Sequence, residues 1–207
     1  MPSAENKSRI YVYIAELPKN EPAGSVYPEE RSREIEGTKN GERRREKYFV
    51  WRLLEYAISE SLGISIGKLR FEKRGGIWRA DGIEFSLSHS GGALAVAVSY
   101  APVGVDIEPI CGSNRGGVAE RFLCRDELRD YLTAAPSERE ERFLRIWTAK
   151  EAIFKSRGEE TFCPSEVDSS AETVYTEALT VGASRYVLSV FAACPFEVTV
   201  IPASDLS

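Results

Sequence analysis

The stretch FSLSHSGGALAVAVSYAPVGVDIE, residues 85–108, decides the fold. Phe85 to Ser88, Ala93 to Tyr100 and Val103 to Ile107 are apolar or alternating runs, with Gly91-Gly92 and Ala101-Pro102 between them as turns. The spacing predicts three short strands that build one compact sheet. Side chains alternate along a strand, so Asp106 and Glu108 leave the same face of the third run, whereas Ser88 and His89 leave opposite faces of the first.

Toward the N-terminus, Ile10 to Leu17 is rich in β-branched and aromatic residues and reads as a strand closed by Pro18. Pro18 to Thr38, with Pro22, Gly24 and Pro28, reads as loop. From Glu42 to Leu62, Val50, Leu53, Leu54, Ala57 and Ile58 recur at helical spacing, and Gly63 is placed to end the helix. Toward the C-terminus come a Gly-rich loop from Gly112 to Gly117 and helices near Val118 to Phe122 and Arg125 to Ala134. A long helix over Glu138 to Arg157 follows, opened by a Ser137/Glu140 capping box and closed by Gly158. Strands Tyr186 to Ala192 and Phe196 to Ile201 finish the chain as a pair. The expectation is an α/β (α+β) protein of two pseudo-duplicated halves, residues 1–101 and 102–207, each a small antiparallel sheet packed with a long helix. Their seam falls between Tyr100 and Val103.

A chain of 207 residues, 43 % of them hydrophobic, can bury one substantial core. Its formal charge of -5 argues against a general nucleic-acid binder, which needs a Lys and Arg excess. No apolar run approaches the roughly eighteen residues of a membrane span, and no signal segment opens the chain, so a cytoplasmic protein is expected. Cys111, Cys124, Cys163 and Cys194 are dispersed without Cys-x-x-Cys spacing, which predicts reduced packing residues rather than a zinc site or disulfides.

The chemistry gathers in a few places. Asp106, Glu108 and Glu151 are oxygen donors suited to a hard cation such as Mg²⁺, although an isolated Asp-x-Glu is also an ordinary strand exit. Glu151 lies in Trp-Thr-Ala-Lys-Glu-Ala-Ile-Phe-Lys, residues 147–155, where Lys150 and Glu151 interrupt a core-like run and must find partners if buried. Glu151 with Lys155 is alternatively a plain i, i+4 surface pair. His89, the only histidine, sits with Ser88 and Ser90 at a Gly-Gly turn, donors that suit a phosphate; a structural histidine is the competing reading. Arg43, Arg44, Arg45 and Lys47 crowd positive charge, and Arg45 shares a helix side with Arg52, as an anion site or a solvated flank would.

Taken in order, the motifs at 85–90, 104–108 and 147–155 resemble those of the Sfp-type 4′-phosphopantetheinyl transferases, and residues 121–128 resemble the family's F-x-x-x-E region. The resemblance implies an enzyme that moves the 4′-phosphopantetheine arm of coenzyme A to a serine of an apo acyl or peptidyl carrier protein, with Mg²⁺, releasing 3′,5′-ADP. It places Asp106, Glu108 and Glu151 on the metal, Ser88 and His89 on phosphates, and Lys150 and Lys155 at the reacting centre. Glu151 doubles as candidate general base, and Arg44, Arg45 or Arg52 meets the 3′-phosphate. Where many relatives carry Gly-Lys-Pro, this chain has Arg74 to Arg79, leaving Lys73, Arg74 or Arg79 to substitute. Unlike the shorter trimeric AcpS-type chains, both halves are present, which implies a monomer with the carrier docked between Gly112 and Leu132 near Arg115, Arg121 and Arg125. A Mg²⁺-dependent nuclease-like phosphodiesterase and a non-catalytic CoA-binding protein are the alternatives.

Overall fold

The computed structural model describes residues 10–113, 115–159, 161–192, 196–201 and 203–206. Its strands are β1 (Ile10–Glu16), β2 (Phe71–Arg74), β3 (Ile77–Ala80), β4 (Glu84–Ser90), β5 (Ala93–Ser99), β6 (Val103–Pro109), β7 (Val174–Val181), β8 (Ser184–Ala192) and β9 (Phe196–Ile201). Its α-helices are α1 (Glu29–Glu36), α2 (Gly41–Leu62), α3 (Gly116–Phe122), α4 (Arg125–Thr133) and α5 (Arg139–Arg157). The protein is of the mixed α/β class, α+β in arrangement.

The strands form a four-stranded sheet in the order β4-β5-β1-β9, a three-stranded sheet β6-β8-β7 and a separate β2-β3 hairpin. β5 shows why two layers of core form. Leu94, Val96 and Val98 face the large side chains of α2, among them Phe49, Trp51, Leu53 and Leu54, while Ala93, Ala95 and Ala97 face the other way. Those alanines meet Val103, Val105 and Ile107 of β6 and Leu188 and Val190 of β8, so the two sheets pack face to face. α5 covers the far side of the second sheet, where Phe143, Leu144 and Ile146 join Val187. The order of layers is therefore α2, first sheet, second sheet, α5.

Several expectations change. β6 leaves the sheet of β4 and β5 and pairs instead with β8. The two C-terminal strands do not pair with each other: β8 lies between β6 and β7, and β9 runs parallel to β1 in the first sheet, making that sheet mixed rather than antiparallel. α1 occupies part of the expected loop. The Ser137/Glu140 capping box is absent, because the Glu140 carboxylate instead accepts the N–H groups of Cys111 (3.2 Å), Gly112 (2.7 Å) and Ser113 (2.8 Å). The α2 ends behave as read: Asn40 accepts from the Arg43 N–H at 2.9 Å, and Gly63 closes the helix at φ 63°. Cys111 and Cys163 are free and exposed rather than packed, Cys124 is free and half-buried, and Cys194 lies outside the described residues. Among the described residues no helix is long and apolar enough to cross a membrane.

Candidate active site

The edge of the first sheet meets the edge of the second along β4 and β6, and serines join them. Ser86, Ser88 and Ser90 share one face of β4. Ser86 Oγ accepts the Val105 N–H at 3.0 Å and Ser88 Oγ the Ile107 N–H at 3.3 Å. Ser88 then donates to Asp106 Oδ1 at 2.7 Å, and Ser90 donates to Glu108 Oε2 at 2.9 Å. The serine ladder thus satisfies backbone groups at the seam and orients both strand carboxylates. Ser88, expected on a phosphate, is buried and spent on Asp106.

The helix carrying Glu151 and Lys155 must come very close to β6, and Gly104 makes this possible. A Cβ at Gly104 would stand 1.7 Å from the Ala152 carbonyl oxygen and 2.7 Å from its carbon. Thr148, fully buried, fixes the approach by hydrogen bonding Leu144 O at 2.8 Å and Ser189 Oγ of β8 at 2.7 Å. Lys155 Nζ thereby reaches Asp106 Oδ1 at 2.6 Å and Val105 O at 3.3 Å, and lies 3.9 Å from Glu151.

The carboxylates feel one another. Burial and then the Asp106 charge push the Glu151 carboxyl up to about 7, against the pull of Lys155 and with a further push from Glu108. Burial and Asp106 likewise raise Glu108, against Ser90, Lys155 and Arg115. Asp106 Oδ2 is buried without a hydrogen-bond partner. Three oxygen donors that repel one another around an orphaned carboxylate oxygen fit a hard divalent cation. Among the described residues, the group of three His, Cys, Asp or Glu ligand atoms that all lie within 4.8 Å of one another is Cys124, Glu127 and Asp168, whereas Asp106, Glu108 and Glu151 do not close to that spacing. That cluster already holds a cation, the Lys150 ammonium at 2.6 Å from Glu127 Oε2. Burial first and then Glu127 push the Cys124 thiol up to about 11, so beside Glu127 it is protonated at neutral pH.

Lys150 therefore does not join Lys155. It is fully buried on another side of α5, donating to Pro164 O at 2.8 Å and to Val167 O as well as pairing with Glu127. Burial alone would raise Glu127, but hydrogen bonds from Cys124, Lys150 and Ser169 outweigh it and hold the carboxyl low. The buried pair ties α4 and the 164–169 segment to α5.

His89 faces away from the serine ladder, toward α2. Burial, reinforced by Lys155, Arg31 and Lys47, lowers its imidazole to about 4, with Asp106 opposing. It is neutral at pH 7, and Glu46, 3.4 Å from Nδ1, is not aligned for a hydrogen bond. The cations around His89 are thus Lys155, Arg31 and Lys47. Arg31 lies 4.8 Å over the Trp51 ring and donates to Glu34 at 3.1 Å. Arg44, Arg45 and Arg52 are engaged elsewhere, with Glu21 at 3.8 Å, Pro18 O at 2.6 Å and Glu55. Sequence reading missed Arg31 because α1 turns Arg31 and Ser32 inward, leaving little apolar period to betray a helix. Glu127 lies in the 121–128 segment that resembles the family's F-x-x-x-E region, but its pairing with Lys150 is a contact between helices that no local spacing announces.

Residues 102–188 match the model of the 4′-phosphopantetheinyl transferase superfamily. The chain is 34 % identical over 110 residues to 4′-phosphopantetheinyl transferase psf-1 of Bacillus pumilus, covering 51 % of this chain and 47 % of that protein. It is 35 % identical over 133 residues to 4′-phosphopantetheinyl transferase AcpT of Escherichia coli (strain K12), covering 61 % and 65 %. Against 4′-phosphopantetheinyl transferase Sfp of Bacillus subtilis (strain 168) it is 34 % identical over 77 residues, covering 36 % and 33 %. The chain thus spans between a third and two thirds of the length of these curated relatives. The matched region contains β6 with its Gly-Val-Asp-Ile-Glu and α5 with its Lys-Glu pair, the two elements that carry Asp106, Glu108 and Glu151. Over residues 102–188 the chain is thus similar to the 4′-phosphopantetheinyl transferase superfamily.

Proposed function

We propose that the protein transfers the 4′-phosphopantetheine arm of coenzyme A to a serine hydroxyl of an apo acyl or peptidyl carrier protein, releasing 3′,5′-ADP. The observation that carries this reading is the meeting of Asp106 with Lys155 and Glu151 beside the cationic surroundings of His89. Asp106, Glu108 and Glu151 would hold Mg²⁺, which when bound polarises phosphoryl oxygens as a Lewis acid.

The remaining chemistry belongs to the chain. Glu151 accepts the serine proton as the serine oxygen forms its bond to the β-phosphorus of CoA. The bond from that phosphorus to the bridging oxygen breaks, and 3′,5′-ADP leaves with the electron pair. Lys155 Nζ, partly exposed beside Asp106, meets the charge growing on the leaving oxygen. Neutral His89 and Lys47 are accessible for phosphate contact, while buried Arg31 adds charge from behind. Arg44, whose partner Glu21 is itself exposed, is the freest of the three candidate arginines to take the 3′-phosphate.

Both sides of the site come from one chain, β4 from residues 1–101 and β6 with α5 from 102–207, which supports a monomer, although β9 crosses back from the second half to join the first sheet. The carrier would dock at a cleft of about 620 Å³ lined in part by Arg115, Leu132 and Arg139, with Glu120 and Glu140 also in its wall; the Arg115 charge also acts on Glu108. Uncrosslinked Cys111, Cys124 and Cys163 are in keeping with a cytoplasmic setting.

The test is chromatography of 3′,5′-ADP after incubation with CoA. Release is expected only when Mg²⁺ and apo carrier are both present. Release without a carrier would instead support the phosphodiesterase alternative, and CoA binding without any release would support the non-catalytic one.

A further inference from the structure

The β2-β3 hairpin belongs to neither large sheet, yet it is tied at both faces. On one face, Trp78 Nε1 donates to Glu34 Oε2 of α1 at 3.0 Å, and Lys73 Nζ donates to the same oxygen at 2.8 Å. Glu34 Oε1 in turn accepts from Arg31 at 3.1 Å and lies 3.9 Å from Lys47 Nζ, the two cations of the His89 side. The next residue along β3 points the opposite way. Arg79 Nη2 donates to Gly158 O at 2.8 Å, across 79 residues of chain.

Gly158 is the C-cap of α5, in the left-handed region at φ 63°, with its N–H on Lys155 O at 3.2 Å. A Cβ there would stand 2.4 Å from the Arg79 guanidinium, so the glycine both permits the cap and leaves room for the arginine. A cation donating to the last carbonyls of a helix also complements its dipole. The turn that Arg79 grips is the one that carries Lys155.

We propose that Arg79 is a positioning residue: by capping the last turn of α5 from the hairpin, it holds Lys155 on Asp106 and couples that helix to the Arg31, Lys47 and His89 side of the site. Arg79 was a candidate to replace the family's lysine as a substrate contact; this role differs from that one. It rests on the proposed part of Lys155 in transfer, but its primary test does not.

Amide hydrogen exchange on the full chain is the primary measurement. Arg79→Ala is expected to speed exchange at Lys155, Ser156, Arg157 and Gly158 by about tenfold, with α2 unchanged, and Arg79→Lys to restore part of the protection. In transfer assays Arg79→Ala should lower kcat about tenfold while KM for CoA stays within about twofold. Unchanged exchange would overturn the proposal whatever the activity, as would a rise of KM for CoA at constant kcat. Should Arg79→Ala fail to fold, Arg79→Lys and Arg79→Gln carry the same comparison. Failure of the wild-type protein to transfer would sink the proposed function and leave the exchange result to decide this one.

Discussion

Lys155 Nζ lies 2.6 Å from Asp106 Oδ1, joining the last turns of α5 to the middle of β6. Asp106 is 3 % exposed, so without this ammonium only Ser88 and a bound cation could compensate its carboxylate. Lys155→Ala is therefore expected to cost about 2 kcal/mol in denaturant unfolding without Mg²⁺, since removing one partner leaves the other buried and unpaired. Saturating Mg²⁺ should recover much of the loss. Equal stability of variant and wild type in metal-free buffer would refute the pairing.

Glu151 predicts a pH dependence. Its carboxyl rises from an ordinary 4.5 to about 7 in the folded protein. A raised carboxyl contributes stability below its unfolded value and loses it as pH climbs through its folded value, here between about 4.5 and 7. At pH 8 without metal, Glu151→Gln should therefore stabilise the protein by about 1 to 2 kcal/mol, a Tm rise of roughly 3 to 6 °C. At pH 4 the two proteins should melt alike. A variant less stable than wild type at pH 8 would contradict the carboxylate crowding.

Lys150 and Glu127 make the case for a structural lysine inside a catalytic motif. Lys150→Met or Glu127→Gln alone should cost about 3 kcal/mol, and Lys150→Met with Glu127→Leu distinctly less than the sum. Simple additivity in that double-mutant cycle would mean that the two side chains do not interact as the 2.6 Å pair requires.

Gly104→Ala places a methyl against the Ala152 backbone, where no flexible side chain can yield. The expected loss is about 3 kcal/mol in stability, with activity reduced because α5 is levered from β6. Thermal melting within a degree or so of wild type would show that the helix does not pack on this glycine.

Much of this was legible in sequence, for physical reasons. α2 carries a core face at helical spacing, and β4, β5 and β6 are apolar runs set off by Gly91-Gly92 and Ala101-Pro102. Alternation also predicted that Ser88 and His89 would diverge, but not which would face the seam. What stayed hidden was tertiary. β9 looks like a neighbour of β8 until the sheets assemble, when it instead lies beside β1. β7, half-exposed along most of its length, lacks a clear buried face, and α1 turns a polar face inward. The sequence motif put Lys150 and Lys155 five residues apart; helix geometry sends one to Glu127 and the other to Asp106.

Transfer to a carrier protein is the deciding observation. Intact-mass spectrometry of an apo acyl or peptidyl carrier incubated with this protein, CoA and Mg²⁺ should show the gain of one phosphopantetheine, lost when Mg²⁺ is chelated or Asp106→Ala is used. No gain on any apo carrier tried, or full gain with Asp106→Ala, would contradict it.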